Sequence, residues 1–167
     1  MRIAIGSDHA GYSLKRFLKS FLEGEGYDLV DFGTDNEESV DYPDIVIPLA
    51  RSIAADEADL GVVVCSNGVG VSITANKVAG VRAALCGDPW SARRSREHAN
   101  ANVLALGAYA IGSHVALEVL RAFLEGEFQG GRHARRVAKI DALDATRSEG
   151  HPGPEPIIAT DVQAHRP

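Results

Sequence analysis

"LGVVVCSNGVG", residues 60–70, changes character twice within one short stretch. Leu60 to Cys65 are apolar or small at consecutive positions, as a strand covered on both sheet faces requires. Two small polar residues follow, Ser66 and Asn67, and then Gly68 and Gly70 on either side of Val69. A helix beginning there would point free N–H groups, and the positive end of its dipole, at the turn. The stretch therefore reads as strand, tight turn and helix.

The same grammar recurs along the chain. "RIAIG" (2–6), "DLVDFG" (28–33), "VRAALC" (81–86) and "NVLALG" (102–107) are the other expected strands. Leu14, Phe17, Leu18, Phe21 and Leu22 follow the spacing of one helical face before Gly24 and Gly26. Ala116, Val119, Leu120, Phe123 and Leu124 repeat it before Gly126. Asp88-Pro89 suits an N-cap and first helical residue for a helix through Trp90 to about His98. A last helix is expected from about Arg132 to Thr146. Five β-α units imply a three-layer α/β/α, Rossmann-like domain with a five-stranded parallel sheet, over residues 1–147. Residues 148–167 hold four of the seven prolines and read as an extended, Pro-rich C-terminal arm, for which a partner subunit is one possible support.

Composition narrows the function. The chain has 167 residues and is 45% hydrophobic, enough for one domain with a real core. Its net charge of −6 argues against a nucleic-acid-binding surface, so any anion must be held by a few placed cations. Cys65 and Cys86 are the only cysteines and do not make a disulfide framework. No apolar run reaches the about 18 residues of a membrane span. "MRIAIGSDHAG" reads as strand and turn rather than a signal peptide, which makes the cytoplasm the expected location.

In open α/β sheets, ligands bind at the carboxyl ends of strands. Ser7, Asp8 and His9 follow the first strand, Cys65, Ser66 and Asn67 close the third, and His98 falls just before the fifth. The 65–70 loop allows two readings: an anion hole for a developing oxyanion, or an ordinary strand-to-helix turn. The glycines alone favour the turn. They form no dinucleotide fingerprint, since position 73 is Ile, and no P-loop, since no G-K-[ST] follows. Cys65 shifts the balance, because a thiol near a helix N-terminus has a lowered pKa and can act as a base on a carbon acid. Cys86 lacks such a turn and reads as a small, buried, inert thiol. His98, near a helix C-terminus, suits a proton donor. Arg132 and Arg136, at i and i+4, put two guanidinium groups on one helical face, which suits a phosphate as well as an acid-paired solvated face.

Together, "GSDHAGY", "DYPD", "CSNGVGVSITANKVAGVRAAL", "SREH", "NVLALG" and "GGRHARRV" resemble the type B ribose-5-phosphate isomerases and the galactose-6-phosphate isomerase subunits of the same family. The resemblance covers roughly residues 1 to 145 and implies sheet order 2-1-3-5-4. It implies an aldose–ketose isomerase that works on a phosphorylated sugar through a cis-enediolate, with no metal or organic cofactor. Ribose 5-phosphate is the expected substrate, and a four- or six-carbon sugar phosphate is the alternative. Cys65 stands at the family's base position and His98 at its ring-opening position. Asp8, His9 and Tyr42 match substrate contacts, the amides of Ser66, Asn67, Gly68, Val69 and Gly70 the anion hole, and Arg132 and Arg136 the phosphate ligands. Sites between two subunits are implied, hence a homodimer or a tetramer.

Three substrate positions depart from the family: Asn67 replaces its usual Thr, Ala99 its Asn and Tyr109 its Arg. Arg135 is a nearby cation but stands off the Arg132–Arg136 face. A non-catalytic partner subunit and a sugar-phosphate-binding domain are the competing classes, and turnover by the purified homo-oligomer separates them from an active enzyme.

Overall fold

Arg2–Ser7 (β1), Asp28–Asp31 (β2), Leu60–Cys65 (β3), Ala83–Leu85 (β4) and Val103–Gly107 (β5) form one parallel sheet. In the computed structural model, which describes residues 1–147, the strand order is β2-β1-β3-β5-β4, as expected. Helices α1 (Tyr12–Gly24), α2 (Tyr42–Ala54), α3 (Val69–Ala75), α4 (Pro89–Ala99) and α5 (Ser113–Leu124) connect and flank the strands, and α6 (Gly131–Arg147) packs on α4. The expected arm at 148–167 lies outside the described residues.

Alternation along β3 divides the interior into two cores. Val62 and Val64 pack with Leu14, Leu18 and Leu22 of α1 and with Leu120 and Phe123 of α5. Val63 and Cys65 point the other way, onto Val46, Leu49 and Ile53 of α2 and Val71 of α3. All residues of β3 and β5 are buried, which accounts for their unbroken apolar sequence.

Two strands are shorter than their sequence suggests. The 81–86 stretch is a strand only over Ala83–Leu85, because the Asn102 and Asn76 side chains accept from the Arg82 and Ala83 amides, each at 2.8 Å. β2 stops at Asp31, whose carboxylate turns back to accept from Gly33 N–H at 3.0 Å. Asp88 caps α4 as expected. Its Oδ1 accepts from Ser91 N–H at 2.8 Å, and donation from that amide and from the Ser91 hydroxyl holds its carboxyl below the usual range.

A buried charge ties α1 to the edge of the sheet. Lys15 is 2% exposed, and its Nζ donates to Asp31 Oδ1 at 2.7 Å and to the Thr34 carbonyl at 2.6 Å. Lys19 donates to the other Asp31 oxygen at 2.9 Å. Burial pushes the Asp31 carboxyl up, but donation from Lys15, Lys19 and Gly33 N–H outweighs it and leaves the pKa lowered. A carboxylate with a depressed folded pKa stabilises fully above its unfolded value, about 3.9, and loses that contribution as pH falls through the folded value. Asp31→Asn strands the Lys15 ammonium. We expect it to cost about 3 kcal/mol in urea denaturation at neutral pH, and to flatten the loss of stability below about pH 4. A cost under about 1 kcal/mol, within the range of a surface pair, would show that the clamp is not structural.

Candidate active site

Cys65 ends β3 on the α2/α3 side of the sheet, 3% exposed. The chain then turns through Gly68 at φ +78°, a left-handed conformation that L side chains rarely adopt. A Cβ there would stand 2.4 Å from Leu85 Cδ1 and 2.9 Å from the Leu106 carbonyl carbon. The turn brings Gly68 N–H back onto Cys65 Sγ at 3.1 Å, a donor that replaces the water the sulfur gives up on burial. Asn67 Oδ1 accepts from Val69 N–H at 3.0 Å and lies 3.9 Å from Sγ. Backbone bonds from Ala108 N–H to the Cys65 carbonyl (2.8 Å) and from Tyr109 N–H to the Ser66 carbonyl (2.9 Å) pin the loop to the end of β5. Gly70 sits in the first turn of α3, where amides have no intrahelical acceptor. A Cβ on Gly70 would come 2.7 Å from Tyr42 Cζ, so the Tyr42 ring, at the head of α2, lies against this turn.

β1 delivers the neighbouring groups, since Ser7 pairs with Val64 and places Asp8 and His9 beside the loop. Asp8 is buried, its Oδ1 accepting from Gly11 N–H at 2.9 Å and its own amide donating to the Val64 carbonyl at 3.2 Å. His9 Nδ1 accepts from Val40 N–H at 3.3 Å, which assigns the neutral ring's proton to Nε2. Tyr109, 78% exposed, follows β5 at the same edge.

His98, Ala99, Arg132 and Arg136 do not join this cluster. α4 starts after β4 and runs back beside the sheet, so His98 lies only a few residues before β5 begins at Val103. Arg82, which precedes β4, donates through Nε to the Asn100 carbonyl at 2.9 Å and fixes the C-terminus of α4 at the sheet's amino edge. Cys65 pairs with Gly107 at the other end of β5, whose five residues span about 13 Å at ~3.3 Å each. The expectation that His98 shares the carboxyl edge with Cys65 is corrected for a single chain: the helical return leaves them at opposite edges.

A second group of cations surrounds His98. Its ring stacks on His133 of α6, with centroids 4.1 Å apart and planes within 4°. Arg94 Nη1 approaches His98 Nε2 at 3.3 Å; because arginine only donates, Nε2 accepts and the proton sits on Nδ1. Glu97 pairs with Arg94 at 2.7 Å, and the Trp90 ring lies 5.8 Å from the guanidinium. Arg132 Nε donates to His133 Nε2 at 3.4 Å. Burial, then repulsion from His98 when it is protonated and from Arg132, Arg136 and Arg94, pushes His133 below its ordinary pKa of 6.5 and favours the neutral ring at pH 7. Arg132 and Arg136 are exposed, and among the described residues neither is paired with a carboxylate. The sequence reading passed over His133, although its i, i+4 relation to buried Val137 marks it as inward-facing. Cys86 is the inert thiol expected of it: burial pushes it up to about 11.

The fold and the buried thiol under a loop of amides define a Rossmann-like enzyme suited to proton transfer at carbon. A family model described as Ribose/Galactose Isomerase matches residues 3–140. The chain belongs to that family and is an aldose–ketose isomerase. It is 41% identical over 147 residues to ribose-5-phosphate isomerase B of Escherichia coli, covering 88% of this chain and 99% of the relative. It is 42% identical over 141 residues to D-erythrulose-4-phosphate isomerase of Pectobacterium atrosepticum, covering 84% and 93%. Among solved structures, the Clostridium thermocellum ribose-5-phosphate isomerase B superposes with TM-score 0.87 at 50% identity, covering 88% of this chain and 99% of that one. The Mycoplasma genitalium enzyme, with bound ribulose-5-phosphate, gives 0.82 at 37% identity, covering 86% and 96%.

Gly68→Ala tests the turn. The left-handed backbone alone costs about 1–2 kcal/mol, and the Cβ also meets backbone. We expect a lower melting temperature and a fall in kcat beyond tenfold as the amide leaves Sγ. Unchanged values for both would mean the turn tolerates an L side chain and does not set the thiol's geometry.

Proposed function

We propose that the chain interconverts ribose 5-phosphate and ribulose 5-phosphate in sites shared between two copies. The carrying observation is the placement of a fixed, buried thiol at one sheet edge and of His98 with two unpaired arginines at the other. Two copies packed so that the amino edge of one meets the carboxyl edge of the other would assemble a complete site from these halves.

In such a site, Arg132 and Arg136 hold the phosphate with His9, as charge-assisted bonds to planar guanidinium groups favour. His98, in its protonated form, gives the Nδ1 proton to the ring oxygen, and the neutral ring so formed takes up the proton of the C1 hydroxyl, so the furanose opens to the aldehyde and His98 ends as it began. Asp8 and Tyr42 contact the sugar hydroxyls. Cys65, as thiolate, takes the proton from C2. The electron pair moves to the carbonyl oxygen and forms the cis-enediolate; the O2 hydroxyl proton passes to O1, and Cys65 returns the carbon proton at C1 to give the ketose. Nothing is gained or lost overall. Of the amides of residues 66–70, Gly68 N–H is given to Cys65 Sγ and Val69 N–H to Asn67 Oδ1, which leaves those of Ser66, Asn67 and Gly70 for the developing negative charge. One such donor is worth about 10²–10³ in rate. A homodimer or tetramer and a cytoplasmic setting belong to the same proposal. No described helix is long and apolar enough to cross a membrane.

A four-carbon sugar phosphate is the second reading, favoured by equal likeness to the erythrulose-phosphate enzyme and by Tyr109, which puts an exposed phenol where the family usually has a cation. Relative kcat/KM over four-, five- and six-carbon aldose phosphates decides between them.

Complementation tests the shared site. Cys65→Ala should lose about 10²–10⁴ in kcat, and His98→Ala should be strongly impaired on ribose 5-phosphate, while Cys86→Ala stays active. Unfolding and refolding the two impaired variants together should restore about a quarter of wild-type activity, because half the dimers are mixed and each has one intact site. No recovery from verified mixed dimers would place each site within one chain. An inactive wild-type homo-oligomer would instead favour the non-catalytic-subunit class.

A further inference from the structure

We propose that His133 is a positioning residue for His98: its ring, stacked face to face on His98, sets the plane in which His98 presents Nδ1–H to the sugar ring. The inference rests on the proposed role of His98. His98 stands in the last turn of α4, next to Ala99 and just before Asn100 at φ +47°, where a helix end offers little to restrain an imidazole. Two neighbours restrain it. Arg94 reaches Nε2 at 3.3 Å, but its guanidinium is partly exposed and shared with Glu97, so it restrains an edge of the ring rather than its plane. His133 is the stiffer support. It is 6% exposed, its backbone amide donates to the Gly130 carbonyl at 2.9 Å, and its Nε2 is held by Arg132 at 3.4 Å. The ring centroids are 4.1 Å apart with planes within 4°, so the stack leaves His98 little room to tilt.

The charge state of the lower ring matters as much as its position. Burial and three neighbouring arginines favour a neutral His133, so when His98 takes up a proton above it there is no second imidazolium to face. The cations that disfavour charge on His133 are Arg94 and His98 from α4 and Arg132 and Arg136 from its own helix. His133 therefore acts through the ring it supports, and a flat neutral ring of similar size should replace it.

The test compares His133→Leu, which keeps bulk but no plane, with His133→Phe, which keeps a neutral ring face, alone and combined with His98→Ala. Small errors in placing a proton-transfer group cost up to about 10² in rate. We expect His133→Leu to lower kcat on ribose 5-phosphate about 10–100-fold with KM changed less than about threefold, and His133→Phe to recover most of that loss. In the His98→Ala background, His133→Leu should add almost nothing, the non-additivity of residues acting through one group. Full additivity, a loss confined to KM, or a Phe variant as poor as the Leu variant would overturn the proposal while leaving His98's own role intact. His98→Ala with near wild-type turnover would sink the underlying reading instead. Melting curves show whether each variant folds. If the Leu variant fails to melt cooperatively, the Phe variant decides alone: the proposal requires it to keep kcat within about threefold of wild type.

Discussion

A parallel sheet needs a return path after every strand, and that requirement organises this molecule. Each helix brings the chain from the carboxyl edge back to the amino edge before the next strand starts. Residues in turns after β1, β3 and β5 therefore gather at one edge, while a residue at the C-terminus of a returning helix is carried to the other. Cys65, Asp8 and His9 belong to the first kind, and His98 to the second. α6 packs on α4 and adds Arg132, His133 and Arg136 to the amino edge. No side-chain rotamer closes a gap set by strand length. In the proposed shared site a second copy of the chain would supply the missing half without distorting either edge.

The sheet was legible because its strands are buried on both faces and so carry consecutive apolar residues. Val62 to Val64 and Val103 to Leu106 could serve no exposed role. Strand ends were less legible, because they depend on side chains that compete for backbone amides: Asn76, Asn102 and Asp31 each take one. The loop after Cys65 could be read as a turn, but its left-handed glycine and the bond from Gly68 N–H to the sulfur follow from contacts with Leu85 and Leu106, brought close only by folding. His133 was missed for a related reason. Beside two arginines it looks like part of a basic face, and only the packing of α6 on α4 turns it inward.

The three departures from the family pattern differ in physical consequence. Asn67 has a local structural role: its carbonyl closes a turn onto Val69 N–H and stands near the thiol, so it shapes the loop while using one of the loop's donors. Tyr109 is fastened by its backbone to Ser66 and leaves its ring exposed, which makes it a surface that something approaching the carboxyl edge would meet. Ala99 follows His98 at the far edge and contributes no polar atom there. In a shared site the first two would act from one copy and the third from the other. Their effects on substrate choice thus need not combine within a single chain.

The acidity of the chain also takes on a narrower meaning. A net charge of −6 speaks against long-range attraction of polyanions, but screening confines such fields to about 8–10 Å at physiological salt. Inside that distance the local set decides, and it includes Arg94, Arg132 and Arg136, with Glu97 committed to Arg94. The same field that would draw in a phosphate adds to burial in keeping protons off His133. The carboxyl edge works differently. There a buried sulfur takes its hydrogen bond from a backbone amide, Gly68 N–H, rather than from a side-chain cation, and that donor is fixed by the turn. Charge selection at one edge and fixed dipoles at the other are two independent demands that the parallel sheet keeps apart within one chain, and the proposed pairing of two copies would bring them together.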